Sequence, residues 1–242
     1  YLNAYLLAGR KELIPSPKGF YEDKVQVSGK KKIENVVIDG TFTDGLKRAA
    51  LGRFCSIEED CIYYCNVDTG SDMKIKINLQ AGEKQNVFRN EYVMPGHVFV
   101  GYIAVEAGEI KDAVKEAFGP SIIVGNARSA GLGKCQVISC DYVDRLPYEE
   151  YLPEEAQNGS CYMMLMSNTA MRNENGEICG IHVEKLQEQL GVTGLRIAYC
   201  STSTVDVKGY NRMWGAKIPS VVMYEMGSVF HLTFDGVLSP EK

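Results

Sequence analysis

The stretch EYVMPGHVFVGYI, residues 91 to 103, occurs in a second version as MYEMGSVFHLTF at residues 223 to 234. Both versions contain a Met, then a Gly, a polar residue and Val-Phe at the start of an apolar run. The aligned glycines are Gly96 and Gly227. Repetition of this kind indicates that one structural unit occurs twice in the chain. Each version predicts a glycine turn followed by a strand.

The residues after the first version predict a helix and then a glycine-rich loop between two strands. The stretch EIKDAVKEAF places five apolar residues at helical spacing, and Gly119 and Pro120 end the helix. The five are Ile110, Ala113, Val114, Ala117 and Phe118. SIIV then reads as a strand, VGNARSAGLGKCQV (124–137) contains the loop, and CQVIS reads as the next strand. The order is strand, helix, strand, glycine loop, strand.

The second version of the repeat has no such continuation, because the chain ends at Lys242. The first residue is Tyr1 rather than Met. We therefore expect a fragment with two repeated units, the second incomplete. The acidic, Pro-bearing segment 141–155 is the best boundary, which predicts domains at 1–145 and 146–242. Half of a repeat exposes apolar strand edges, so we also expect the fragment to self-associate.

Composition favours a globular protein. The chain has 242 residues, of which 45% are hydrophobic, and no apolar run is long enough to cross a membrane. The N-terminal stretch is charged too early for a signal peptide, so we expect a soluble, cytoplasmic protein without a membrane partner. Cys61 and Cys65 have the spacing C-x3-C without a second pair, which favours packing over a zinc site. No metal or cofactor is predicted.

The charge distribution is uneven. The net charge is −5, and residues 141–155 alone contain six acidic residues and one Arg. The rest of the chain therefore sums to zero. A basic face for a polyanion is compatible with this balance, but the balance does not demonstrate one.

The glycine loop lacks the residues of the two common nucleotide-binding loops. A Walker loop would need Gly at Arg128 and a hydroxyl at Cys135, and a dinucleotide fingerprint would need Gly at Gln136. Two interpretations remain. The loop binds the backbone of an extended nucleic acid through its amides and cations, or it is a wide hairpin loop of no chemical consequence.

Catalytic patterns are sparse. The three histidines are His97, His182 and His231, and His97 and His231 lie in or beside the repeated apolar strands, where a buried histidine is more common than a base. No hydrolase or metalloprotease motif occurs. Aromatic residues that could stack on bases are Tyr63, Tyr64, Tyr210 and Trp214. The stretch KGYNRMWGAKIP, with Tyr210 and Trp214, is the better candidate because three cations interleave with these aromatics, although core or interface packing explains the same pattern. The cations are Lys208, Arg212 and Lys217.

Several stretches together resemble one family. The glycine loop behind an amphipathic helix, preceded by MPGHVFVGYI, resembles the RAMP superfamily of CRISPR systems. The stretches LNAYL, IPSPKGF, LKRAALGR, MLMSNTAMRNENGE, VKGYNRMWGAKIP and EMGSVFHL are similar to the large two-unit RAMP subunit of type III-D effector complexes. The resemblance implies an α+β fold of ferredoxin-like, RRM-related units with antiparallel sheets.

The resemblance also implies a function. It implies a non-catalytic subunit that holds crRNA and contacts other RAMP subunits and the large effector subunit in antiviral defence. The residues implied to contact the RNA backbone are Gly125, Asn126, Arg128, Ser129, Gly131, Gly133 and Lys134, with Lys47, Arg48 and Arg53 along the same path. A RAMP endoribonuclease that processes repeat RNA, and a ferredoxin-like protein-interaction module, remain as alternatives.

Overall fold

The structure, a computed structural model, describes residues 5–8, 11–24, 33–36, 44–58, 61–76, 86–104, 110–125, 131–143, 156–211 and 213–239. These residues form short antiparallel strands and two helices, an α+β arrangement. The chain divides into two compact units. Unit 1 comprises residues 1–13 and 66–147, and unit 2 comprises residues 14–65 and 148–242.

This division differs from the expected one in the place of residues 14–65. The boundary after residue 147 lies close to the expected one, but 14–65 group with the C-terminal residues. The reason is long-range hydrogen bonding. The amide of Lys18 donates to the carbonyl of Gly227 at 2.8 Å, and the hydroxyl of Ser201 donates to the carbonyl of Lys18 at 2.8 Å. Local sequence periodicity carries no information about hydrogen bonds between segments so far apart in the chain.

Among its described residues, unit 1 contains two hairpins, one small sheet and one helix. Its elements are β1 (Tyr5–Ala8), β2 (Lys11–Glu12), β9 (Thr69–Lys76), β10 (Asn86–Val93), β11 (Val98–Val100), α1 (Ile110–Phe118), β12 (Ser121–Ile123) and β13 (Lys134–Gln136). Strand β1 lies between β11 and β2, β9 pairs with β10, and β12 pairs with β13. The predicted helix is confirmed, and Gly119 follows it with φ +52°.

Unit 2 contains three three-stranded sheets, two hairpins and one helix among the residues described. The strands in its first segment, residues 14–65, are β3 (Ile14–Pro15), β4 (Phe20–Asp23), β5 (Ile33–Asn35), β6 (Leu46–Arg48), β7 (Phe54–Glu58) and β8 (Cys61–Cys65). The later elements are β14 (Gln157–Met164), β15 (Met171–Arg172), β16 (Ile178–Cys179), α2 (Val183–Leu190), β17 (Thr193–Ser201), β18 (Thr204–Asn211), β19 (Ala216–Tyr224) and β20 (Val229–Leu238). The sheets have the orders β3-β7-β8, β5-β4-β6 and β14-β20-β17.

The sheet β14-β20-β17 carries the main core. Strand β20 is antiparallel to both neighbours, so β14 and β17 run parallel to each other and α2 lies between them in the chain. Phe230, Leu232 and Phe234 point to one face and are buried with Leu165 and Leu195. Helix α2 packs against this cluster through the apolar side chains Val183, Leu186 and Leu190. The result is a split β-α-β unit with a third strand inserted between its two parallel strands.

The repeated stretches have the same local structure and the same strand pairing. Gly96 and Gly227 adopt positive φ, +103° and +84°, in the turn before each strand. Leu6 pairs with Phe99 in unit 1, as Met163 pairs with Phe230 in unit 2. The flanking pairs keep the same register: Tyr5–Val100 and Leu7–Val98 correspond to Tyr162–His231 and Met164–Val229. The repeat therefore extends to the strands that pair with these stretches, YLL in β1 and YMM in β14.

Equivalent phenylalanines of the repeat should differ in their contribution to stability. Phe230 is 1% exposed and Phe99 is 41% exposed. Phe230→Ala should lower the free energy of unfolding by about 3–5 kcal/mol, the usual loss for a buried aromatic, and Phe99→Ala should lower it much less. Urea titrations followed by circular dichroism measure both losses. Equal losses would contradict this assignment of the core.

Candidate nucleic-acid interface

The glycine loop connects the two strands of a hairpin. Ile123 pairs with Lys134 at its base, and the amide of Val124 donates to the carbonyl of Gly133 at 2.8 Å. The expected order of strand, glycine loop and strand is thus confirmed. Three of the expected contact residues, Asn126, Arg128 and Ser129, lie outside the described residues. The remaining four are Gly125, Gly131, Gly133 and Lys134.

The glycines of the loop serve two different purposes. Gly125, Gly131 and Gly133 all have positive φ, +85°, +79° and +82°. A Cβ on Gly133 would collide with the carbonyl oxygen of Val124, so the base of the hairpin requires glycine there. A Cβ on Gly125 or Gly131 would meet nothing within 4 Å among the residues that the structure describes. These two positions leave the backbone open to close approach by another molecule.

A cation stands at the edge of this open backbone. The side chain of Lys134 is exposed, and Lys134 directly follows Gly133. Glycines leave the backbone amides exposed beside the lysine. A phosphate can bind there, because it accepts hydrogen bonds from amides and is attracted by the ammonium group.

The three other expected cations lie in unit 2, and the structure gives them different roles. The ammonium of Lys47 is 3.2 Å from the carboxylate of Glu22, whose side chain is only 6% exposed. A buried carboxylate needs a compensating cation. Lys47 is therefore engaged in the fold of its own sheet, where it pairs with Glu22 across β4 and β6.

Arg48 and Arg53 lie near the turn that follows β19. The guanidinium of Arg48 donates to the carbonyl of Thr202 at 3.4 Å. Glu225 accepts hydrogen bonds from Lys18 at 2.9 Å and from Ser203 at 2.6 Å. Partial burial alone would raise the pKa of Glu225. The hydrogen bonds from Ser203 and Lys18, with the charges of Lys18 and Arg53, hold that pKa below its usual range.

The turn that contains Gly227 also contacts the IPSPKGF stretch, residues 14–20. A Cβ on Gly227 would collide with the carbonyl oxygen of Ser16, so this close approach requires glycine. The turn is further held by the amide of Gly227, which donates to the carbonyl of Leu165 at 2.7 Å. Lys18 and Arg53 are thus fixed around one carboxylate at a surface built from chain segments far apart in sequence.

Each histidine has a specific partner. His97 accepts a hydrogen bond from the amide of Asp68 at 2.9 Å. His182 caps helix α2, where its Nδ1 accepts from the amide of Lys185 at 3.3 Å. His231 stacks on Tyr162 with ring centroids 4.7 Å apart. The capping role of His182 was not expected from the sequence, because Ser, Thr, Asp and Asn are the usual capping residues.

The best aromatic candidate lies at the tip of the hairpin β18–β19. The side-chain oxygen of Asn211 accepts from the amides of Met213 and Trp214 at 2.9 and 3.2 Å. Gly215 completes the turn with φ +61°. Trp214 is 80% exposed, so packing in the core of this chain does not account for it.

No family model matches the chain, and no curated protein matches it. Among the residues that the structure describes, no three or more His, Cys, Asp or Glu side chains are grouped so that they could hold a metal ion. Within the same residues, neither helix has the length and apolar character needed to cross a membrane.

The two kinds of loop glycine can be separated by substitution. Gly131→Ala should cost about 1–2 kcal/mol, the usual penalty for a left-handed backbone with a Cβ. Gly133→Ala should cost more, because the added methyl also displaces the carbonyl of Val124. Hydrogen exchange of the Val124 amide reports on the base of the hairpin. It should accelerate in the Gly133 variant and stay near the wild-type rate in the Gly131 variant.

The carboxylate of Glu225 makes stability depend on pH in a defined direction. Its folded-state pKa is depressed, so its stabilising contribution is complete above the ordinary Glu pKa of about 4.3 and is lost as pH falls through the folded value. Glu225→Gln should destabilise the chain at neutral pH and flatten the acid limb of its stability profile. Urea titrations between neutral pH and pH ~3 measure both effects. The exposed Glu188→Gln is the control, and identical acid limbs in wild type and Glu225→Gln would refute the role.

Proposed function

We propose that this chain is a non-catalytic, crRNA-binding and scaffolding subunit of a type III CRISPR effector complex, related to the RAMP superfamily. It binds the RNA backbone through the glycine hairpin of unit 1. Its partners are crRNA, other RAMP subunits and the large effector subunit, in the cytoplasm. The observation that carries the proposal is the open backbone of Gly125 and Gly131 beside the exposed Lys134.

The chemistry of that hairpin favours phosphate over a base or a small apolar ligand. A glycine-lined backbone offers amide donors without side chains that would keep a ligand away. Lys134 adds a point charge, and Arg128 in the same loop adds a guanidinium that can bind two phosphate oxygens. Contacts of this kind hold an RNA strand in place without reading its sequence.

The pattern of secondary structure also supports the proposal. In unit 2, β14, α2, β17 and β20 occur in the chain order and with the sheet neighbours of the first half of a ferredoxin-like unit. In unit 1, β1 pairs with β11 in the same register, and β11 is followed by α1 and the glycine hairpin. A glycine loop placed after the second helix of such a unit is the arrangement that the resemblance implies.

Fewer unit 2 cations are assigned to RNA binding than the resemblance alone implies. Lys47 neutralises the buried carboxylate of Glu22, and the charge of Arg53 helps to hold the pKa of Glu225 low, whereas the exposed Arg48 donates to the carbonyl of Thr202. Arg48 is therefore the unit 2 cation that we assign to RNA, and Lys47 and Arg53 are assigned to the stability of the fold.

Salt-dependent RNA binding tests the role of the glycine hairpin. The affinity of the chain for single-stranded repeat RNA should fall with salt, and each lost phosphate contact should flatten the slope of log K against log salt by roughly 0.7. Arg128→Ala and Lys134→Ala should each flatten it by that amount. Fluorescence anisotropy over a salt series measures the slopes.

A matched control and two contrary outcomes make this test decisive. Lys115→Ala removes a lysine from the exposed side of helix α1 in the same unit and should leave the slope unchanged. Unchanged slopes in the Arg128 and Lys134 variants would overturn the role of the hairpin. Specific cleavage of repeat RNA by the wild-type chain, lost in His97→Ala or His231→Ala, would identify an endoribonuclease instead.

A further inference from the structure

The face of the β14-β20-β17 sheet opposite the core carries a row of aromatic side chains. Phe230 and Leu232 point into the core, so His231 between them points to the opposite face. On β14, Cys161 and Met163 pack against the core, so Tyr162 also points away from it. On β17 the register shifts between Ile197 and Tyr199, and this irregularity places Tyr199 directly opposite His231.

These three residues are cross-strand neighbours. Tyr162 pairs with His231, and His231 pairs with Tyr199. The rings of Tyr162 and His231 are stacked, with centroids 4.7 Å apart and planes inclined by 20°. Tyr162 is 49% exposed and Tyr199 is 39% exposed. Two half-exposed phenol rings therefore flank an imidazole across the whole width of the sheet.

We propose that Tyr162, His231 and Tyr199 form a platform on which unpaired bases of RNA stack. The inference rests on the proposed RNA-binding function and places a second contact in unit 2. Single-stranded RNA offers unstacked bases, and sheets that bind it present aromatic side chains from adjacent strands. The stacked Tyr162–His231 pair holds two rings in place before binding, which lowers the entropy lost when a base is added.

The charges around the row favour a nucleic acid over a protein partner. Arg196 pairs with Thr233, one row further along the same face, and its side chain is exposed. The two rows are about 7 Å apart, close to the phosphate spacing of an extended strand. Beyond the other end of β17, the guanidinium of Arg48 lies at the carbonyl of Thr202. Asp235 lies one row beyond Arg196 on this face, so the guanidinium of Arg196 stands between its carboxylate and the aromatic row.

The test compares two short, single-stranded oligoribonucleotides with the same phosphate backbone, one with all its bases and one with abasic central nucleotides. The full chain should bind the first roughly 5- to 100-fold more tightly, the range for one stacked base. Tyr162→Leu should remove most of that preference, and Tyr162→Phe should retain it. Neither substitution should change the salt slope, because no phosphate contact is lost.

A matched control separates this row from exposed tyrosines in general. Tyr63 on β8 is 58% exposed and belongs to another sheet of unit 2. Tyr63→Leu should leave the preference for base-containing RNA unchanged. An equal loss in Tyr63→Leu and Tyr162→Leu would overturn the assignment to this row. Thermal unfolding of each variant shows whether the sheet is intact, and Tyr199→Leu provides an independent substitution in the same row.

The possible failures are distinguishable. Salt-dependent binding with no preference for bases, or with a preference that Tyr162→Leu and Tyr199→Leu leave intact, overturns the platform and leaves the RNA-binding function standing. No binding of either oligonucleotide by the wild-type chain overturns both. A change in sedimentation coefficient on Tyr162→Leu, without a change in base preference, would show that this face contacts protein and would also overturn the platform.

Discussion

Successive side chains of β20 point alternately to the two faces of the β14-β20-β17 sheet. Phe230, Leu232 and Phe234 are buried on one face because apolar side chains of β14, β17 and helix α2 pack against them. Burying three large apolar side chains supplies several kcal/mol of stabilisation. The residues between them are then forced onto the other face, where His231 meets its tyrosine neighbours. One alternating strand thus provides both the core and the aromatic row.

Close approach at Gly227 is the second constraint. The turn before β20 touches the backbone of Ser16 so closely that no side chain fits at Gly227. This contact brings Lys18 to Glu225 and orders a small network of Ser203 and Arg53 around the same carboxylate. At Gly96, the aligned glycine, no described residue lies within 4 Å of a Cβ position. Equivalent residues of the repeat share a backbone conformation but do not share this contact.

Local features were predictable from the sequence, and long-range features were not. Helix α1 and the strands around the glycine loop follow from periodicity and turn residues. The pairing of Lys47 with Glu22 could not be predicted, because it depends on the register of two strands separated by a long connection. The aromatic row was equally hidden, since Tyr199 faces His231 only through a register shift in β17. Half of the glycine loop lies outside the described residues, so its expected contacts remain predictions.

Unit 2 is assembled from two segments, residues 14–65 and 148–242, with most of unit 1 between them in the chain. On the ribosome, the early strands β3 to β8 emerge long before β14, β17 and β20 exist. The hydrogen bond from the Lys18 amide to Gly227, and the one from Ser201 to the Lys18 carbonyl, form only after those later residues have been synthesised. The early segment therefore spends much of synthesis without these contacts, which exposes it to chaperone binding or misassembly during translation. Unit 1 needs only the short segment 1–13 besides its own contiguous residues and can form first.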